Sequence, residues 1–127
     1  IYALDPDGEN MQQLTDSPGN DLRPAWSLAG ETILFVSERD TSLTTGQLDL
    51  FLMNPDGSDQ RRFGTDDVFS GGAVHSADGQ QIAYISNEEG RWNIYVMDAD
   101  GSNLRRITAT DHDDLFPVWR PVAPDSD

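Results

Sequence analysis

Short apolar runs separated by polar breaks run the length of the chain. Ala25-Trp26, Ile33-Leu-Phe-Val36, Leu50-Phe-Leu-Met53 and Arg62-Phe63 are rich in branched and aromatic residues, and each is bounded by Gly, Pro, Asp or Asn. Runs of this length and composition predict β-strands rather than helices. Asp5-Pro6-Asp7-Gly8 has tight-turn chemistry: Pro presets φ at the second position, Asp can hydrogen-bond the turn backbone, and Gly accepts positive φ. Ser76-Ala-Asp-Gly79 and Ser27-Leu-Ala-Gly30 mark a second turn, between the run holding Trp or His and the next apolar run. Turns of both kinds join the runs as hairpins.

The pattern recurs. Ile1-Tyr-Ala-Leu-Asp-Pro-Asp-Gly8 returns as Leu50-Phe-Leu-Met-Asn-Pro-Asp-Gly57 and as Ile94-Tyr-Val-Met-Asp-Ala-Asp-Gly101, at intervals of 49 (8 to 57) and 44 (57 to 101) residues. The five-residue difference falls between Ser37 and Leu50, where Asp40-Thr-Ser-Leu-Thr-Thr-Gly46 reads as an inserted loop. Gln13-Leu-Thr15 likewise corresponds to Arg62-Phe-Gly64 and Arg106-Ile-Thr108, and Pro24-Ala-Trp-Ser27 to Ala73-Val-His-Ser76 and Pro117-Val-Trp-Arg120. Periods of this size point to stacked supersecondary units such as propeller blades. With the strands of a period called A (Ala25-Trp26), B (Ile33–Val36), C (Leu50–Met53) and D (Arg62-Phe63), the chain reads C-D, then A-B-C-D twice, then a lone A. The predicted fold is an all-β propeller of four-stranded antiparallel blades, two complete and one partial at each end. Its repeats cover residues 1–121, with units starting near 1, 50 and 94. Residues 122–127 read as a tail, since the stretch after Trp119 holds two prolines and no glycine.

Tyr95-Val-Met-Asp-Ala-Asp-Gly-Ser102, Leu104-Arg-Arg-Ile-Thr108 and Ile82-Ala-Tyr-Ile-Ser86 resemble the TolB-type, WD-like β-propeller repeat. Blades of that family carry an apolar run, Asp-Pro-Asp-Gly-Ser, Arg-Arg-Leu-Thr, Pro-x-Trp-Ser-Pro-Asp-Gly and Ile-Ala-Phe-Val-Ser. The resemblance extends over nearly all of Ile1 to Trp119, with His75 in place of the blade Trp and Leu28-Ala29 in place of Pro-Asp. It implies a six-bladed ring of which this chain holds about half, and a periplasmic or extracellular setting. A half ring exposes apolar faces and strand edges. The expected cover is a second copy, giving a homodimer in which strand A at Trp119 of each chain packs beside Ile1–Thr15 of the other, or else another protein.

Charge narrows the partners. The chain carries 23 acidic and 8 basic residues, all of the basic ones arginine, for a net charge of -15. Repulsion from phosphate excludes nucleic acid, and the surface favours cationic partners. Part of the Asp excess is turn chemistry, but Thr65-Asp66-Asp67 and Asp111-His-Asp-Asp114 go beyond what turns need. Without cysteine there is neither disulfide nor thiolate site. Apolar runs of about four residues fall far short of the roughly 20 that a membrane helix needs, so no membrane insertion is expected.

Catalytic signatures are missing. His75 and His112 are the only histidines, and neither sits in a His-Glu-x-x-His array; a Gly-x-Ser-x-Gly elbow and a glycine-rich phosphate loop are also lacking. A non-catalytic protein without cofactor is expected. The Asp-x-Asp-Gly turns do not have the spacing of a helical calcium loop. His75 reads as a packing or hydrogen-bonded strand residue, and Trp26, Phe35, Phe51, Tyr84, Tyr95 and Trp119 as core. One arginine of each Arg61-Arg62 and Arg105-Arg106 pair is expected to meet the surface acids.

Because strands alternate in direction, A-B and C-D turns share one face of the blades while B-C and D-A connections share the other. The second face collects the insertion, Trp92 and the acidic loops. Binding is normally placed on such loops, which makes Asp21, Arg23, Asp66, Asp67, Phe69, Asp111, His112, Asp113, Asp114 and Phe116 the candidate contact residues. The leading reading is a module for protein-protein interaction or assembly. The alternative is a small-ligand or cation site using Asp66-Asp67 and Asp111–Asp114, weighed against a solvated acidic loop.

Overall fold

A computed structural model describes residues 1–39, 48–63 and 70–121. The insertion at Asp40–Gly46, the candidates Asp66, Asp67 and Phe69, and the tail 122–127 lie outside the described residues. Among those described, every regular element is a strand: β1 (Tyr2–Ala3), β2 (Gln12–Gln13), β3 (Asp21–Trp26), β4 (Ile33–Ser37), β5 (Asp49–Met53), β6 (Arg61–Arg62), β7 (Ser70–His75), β8 (Gln81–Ser86), β9 (Asn93–Asp98) and β10 (Arg105–Arg106). All pairings are antiparallel between sequence neighbours. They form a β1-β2 hairpin, a β3-β4-β5-β6 sheet and a β7-β8-β9-β10 sheet. This is a partial propeller, with two complete blades preceded by the C-D hairpin of another.

The middle strands are apolar on both faces because both faces are covered. Every residue of β4 and β5 is buried. Ile33, Phe35, Phe51 and Met53 pack with Leu14, Ile1 and Ala3 of the hairpin, whereas Leu34, Val36, Leu50 and Leu52 pack with Ala73, Ile82, Tyr84, Tyr95 and Met97 of the second blade. Residues two apart thus serve the same seam, following the period of the strand. Equivalent cross-strand aromatics reinforce each seam: Phe35 and Phe51 at 5.6 Å between ring centroids, and Tyr84 stacked on Tyr95 at 5.6 Å.

The repeated turn is built the same way three times. Gly8, Gly57 and Gly101 donate N–H groups to the carbonyls of Asp5, Asn54 and Asp98 at 2.8, 3.0 and 2.9 Å, with φ of 87, 84 and 88°. Two residues on, Asn10, Asp59 and Asn103 hold φ of 52, 53 and 53°. Asn and Asp visit this left-handed region more readily than other side chains. Turn carboxylates are consumed within the turn: Asp7 accepts from the Glu9 amide at 2.9 Å, and Asp56 and Asp100 each accept from the following Ser at 2.9 Å (amide) and 2.6 Å (hydroxyl).

The two loop faces separate as the alternation requires. Ala99 donates its amide to the Gln80 carbonyl at 2.8 Å, linking a C-D turn to an A-B turn. On the opposite face the Glu38 amide reaches the Asn20 carbonyl at 3.0 Å and the Asp114 amide reaches Trp92 at 2.8 Å, linking D-A to B-C connections.

One expected strand does not form. Among the described residues, 107–121 carry no sheet pairing. The segment instead lies against the second blade, where the Trp119 indole N–H donates to the Val74 carbonyl at 3.1 Å.

Candidate functional site

The described candidate residues fall into three separate groups. Asp21 opens β3 with its side chain turned inward and only 5% exposed. It accepts from the Ser17 hydroxyl at 2.6 Å and from the Arg39 guanidinium at 3.1 Å. Burial pushes its carboxyl up, but hydrogen bonding from Ser17, Ser37, Arg39 and Thr15 outweighs burial and holds it below the usual carboxylate range. Arg39 lies over the rings of Phe51 and Phe35, 4.7 and 5.2 Å from their centroids, and also donates to Ser37 Oγ at 2.9 Å and Gln60 Oε1 at 2.6 Å. Gln60 in turn donates to the carbonyls of Leu14 and Gly57 at 2.9 and 2.8 Å. Asp21 is therefore the far end of a network that joins the hairpin to the first blade. A cleft of about 710 Å³ lies alongside, between Gln13–Pro18, Arg39 and Gln60.

Asp111, His112, Asp113 and Asp114 form an exposed loop fastened to the β8-β9 connection. Asp113 Oδ1 accepts from the Trp92 amide at 3.2 Å, and Thr110 Oγ1 lies 2.9 Å from both Asp114 Oδ2 and the His112 carbonyl oxygen. Arg91 donates to the Asp111 carbonyl. Among the described residues no group of three or more His, Asp or Glu side chains is placed to hold a metal ion. The carboxylates of Asp113 and Asp114 shape the loop.

Arg23, on β3, and Phe116, in the unpaired segment 107–121, lie elsewhere and line one cavity. Each A-type strand carries an extra residue, seen as a register shift between Leu22 and Ala25 in β3 and between Gly71 and Ala73 in β7. The residues at the three equivalent positions, Arg23, Gly72 and Phe116, all have left-handed backbones with φ of 55, 58 and 57°. A bulge re-aims a side chain in this way. A Cβ on Gly72 would lie 3.4 Å from Arg23 Nη1, so the arginine crosses above the neighbouring blade's glycine. Together with Val74, Ile85, Pro117 and Val118 they line a cavity of about 260 Å³. The sequence candidates omitted Gly72; its place before the residue equivalent to Pro24 and Pro117 was the available signal.

His75 completes a third feature, a groove of about 390 Å³ between the blades, where it stands with Leu28, Glu31, Leu52, Asp78 and Gln80. Its two ring nitrogens are buried without a hydrogen-bond partner, and burial holds its pKa below the ordinary histidine value. His75 is a packing residue of the seam.

Comparison with known proteins agrees with this architecture. No protein-family model matches the chain. The Tol-Pal system protein TolB of Anaeromyxobacter dehalogenans (strain 2CP-C) is 40% identical over 119 residues, 94% of this chain and 26% of that protein. The TolB homolog of Chlorobium luteolum is 27% identical over 159 residues, 94% of this chain and 36% of that protein. Among solved structures, TolB from Agrobacterium tumefaciens superposes with a TM-score of 0.79 at 26% identity, covering 94% of this chain and 41% of that one. The chain spans about a quarter to a third of the length of these curated relatives.

Proposed function

From a chain made of TolB-type β-propeller repeats, we propose a non-catalytic module for protein-protein interaction and assembly, working in the periplasm or outside the cell. One observation carries this reading: both ends of the blade stack present apolar side chains at positions that the inner blades bury. Tyr2 and Leu4 are 54% and 57% exposed, whereas their repeat equivalents Phe51 and Met53, and Tyr95 and Met97, are buried. At the opposite end Ile107 is 52% exposed, whereas its repeat equivalent Leu14 is buried. Apolar faces of this kind mark contact surfaces, and in stacked repeats they await a neighbouring unit.

The neighbour in this proposal is a second copy, set head to tail so that the two chains close a ring of about six blades. The two junctions are then hybrid blades, with strands C and D from one chain beside the Trp119 segment of the other. Arg23 and Phe116, which line one cavity, form the contact surface offered to further protein partners, with Asp66, Asp67 and Phe69 as further candidate contact residues. The cation alternative gains no support: one oxygen of Asp113 accepts from the Trp92 amide and one of Asp114 from Thr110, and among the described residues no group of three His, Asp or Glu side chains gathers there. Introducing charge at the exposed end tests the reading. The Tyr2→Asp, Leu4→Asp double variant is expected to keep its strand content by circular dichroism and lose self-association; unchanged self-association would refute it.

A further inference from the structure

Equivalent positions close their seams differently. Trp119 sends its indole N–H across to the Val74 carbonyl at 3.1 Å, joining its segment to β7. His75, at the same repeat position between the two complete blades, is shorter, and neither of its buried ring nitrogens finds a partner. The space that an indole would take is left as the groove of about 390 Å³ in which His75 stands.

The groove has apolar walls and acidic groups. Leu28, Ala29, Leu52 and Ala99 supply the walls, and Leu28, 65% exposed, stands against the turn of the second blade, where a Cβ on Gly79 would lie 3.3 Å from its own. The titratable residues that line it are Glu31, Asp78 and His75, with no arginine among them. Asp78 Oδ1 is committed to the Ser76 hydroxyl at 2.6 Å and the Gln80 amide at 3.0 Å. Among the described residues, neither Asp78 Oδ2 nor the Glu31 carboxylate has a hydrogen-bond or ion-pair partner.

We propose that this groove receives a lysine side chain of a protein partner, which names one partner chemistry within the interaction reading above and rests on it. An ammonium on an unbranched aliphatic stem matches both halves of the site: the stem lies along the leucines, and three N–H donors reach two separate carboxylates. The planar fork of an arginine suits instead a carboxylate with both oxygens open, and Asp78 has only one. Nothing lining the groove repels the charge, because burial keeps His75 neutral at pH 7. The sequence contains no lysine, so the occupant is a different protein and not a second copy of this chain.

The test titrates Nα-acetyl-lysine methylamide into the full chain, beside its arginine and norleucine analogues, and follows the amide signals of Leu28, Gly79 and Ala99 by nuclear magnetic resonance. Saturable shifts with a dissociation constant of about 1 mM are expected for the lysine probe, with about fivefold weaker binding in Glu31→Gln. None is expected for norleucine, or in His75→Trp, whose indole fills the groove. Bound ammonium should also push the His75 pKa lower still, read from its ring C–H signals. Equal binding of the arginine analogue would overturn the assignment to lysine; a lack of saturable shifts, or their persistence in His75→Trp, would overturn the site. Either result leaves the assembly to its own test with the Tyr2, Leu4 variant.

Discussion

Gly57 and Leu14 touch backbone to backbone: a Cβ added to Gly57 would lie 2.6 Å from the Leu14 carbonyl oxygen. The same glycine has φ of 84°, so it answers two demands at once, a left-handed turn and a close approach between the first blade and the hairpin. Gly8, its equivalent with φ of 87°, has nothing within 4 Å of that position. Gly8→Ala should cost only the left-handed penalty, about 1 kcal/mol, while Gly57→Ala should cost distinctly more because the seam must also open. Urea denaturation of the two variants measures the difference; equal losses would mean that the Leu14 contact contributes nothing.

His75 makes stability depend on pH. Its folded-state pKa lies below the ordinary 6.5 because burial disfavours the imidazolium, so the unfolded chain binds the proton more readily. Stability from this site is therefore fully present above about pH 6.5 and declines as the pH falls through 6.5 towards the folded-state value. His75→Trp removes that dependence and supplies an indole N–H, for which the repeat register offers the Ala25 carbonyl. The variant should melt at a higher temperature than the parent, with the gap widening below pH 6.5, and a variant that His75→Trp unfolds would show that the seam needs an imidazole.

Asp21 and Arg39 are separated by 18 residues yet form one buried ion pair, with side chains 5% and 16% exposed. Removing one partner of such a pair leaves the other charge without compensation. Arg39→Ala should destabilise the fold by about 3 kcal/mol, including loss of the guanidinium from above Phe35 and Phe51. Asp21→Asn, which retains an acceptor for Ser17, should cost less. A thermal or urea melt that ranks them in the opposite order would contradict the network drawn around Arg39.

Local chemistry explains what could be read ahead of the structure. The turns were legible because Pro, Asp and Gly act on their own backbone, and the blades because each seam needs apolar residues on both faces of strands such as Ile33–Val36. The site was less legible, for reasons that residues near the bulge show clearly. An extra residue between Leu22 and Ala25 breaks the in-out alternation, so the direction of Arg23 cannot be counted along the strand. Its approach to Gly72 arises from how neighbouring blades are set side by side. Asp21 was grouped with the surface acids, since nothing local reveals a partner as distant as Arg39. Asp111–Asp114 stood as a cation alternative to a solvated acidic loop, because composition does not say that Asp113 faces the Trp92 amide. The final A strand was expected from its own residues, although a strand exists only by pairing.

In the assembly proposed above, two copies complete one ring through their unlike ends. Sedimentation equilibrium on the 127-residue chain measures this most directly. A folded species of twice the 14.0 kDa chain mass is expected, and a chain cut after Thr110, which lacks the Val118-Trp119 end, is expected to stay at single mass. A stable, well-folded species of 14.0 kDa at every concentration would contradict it.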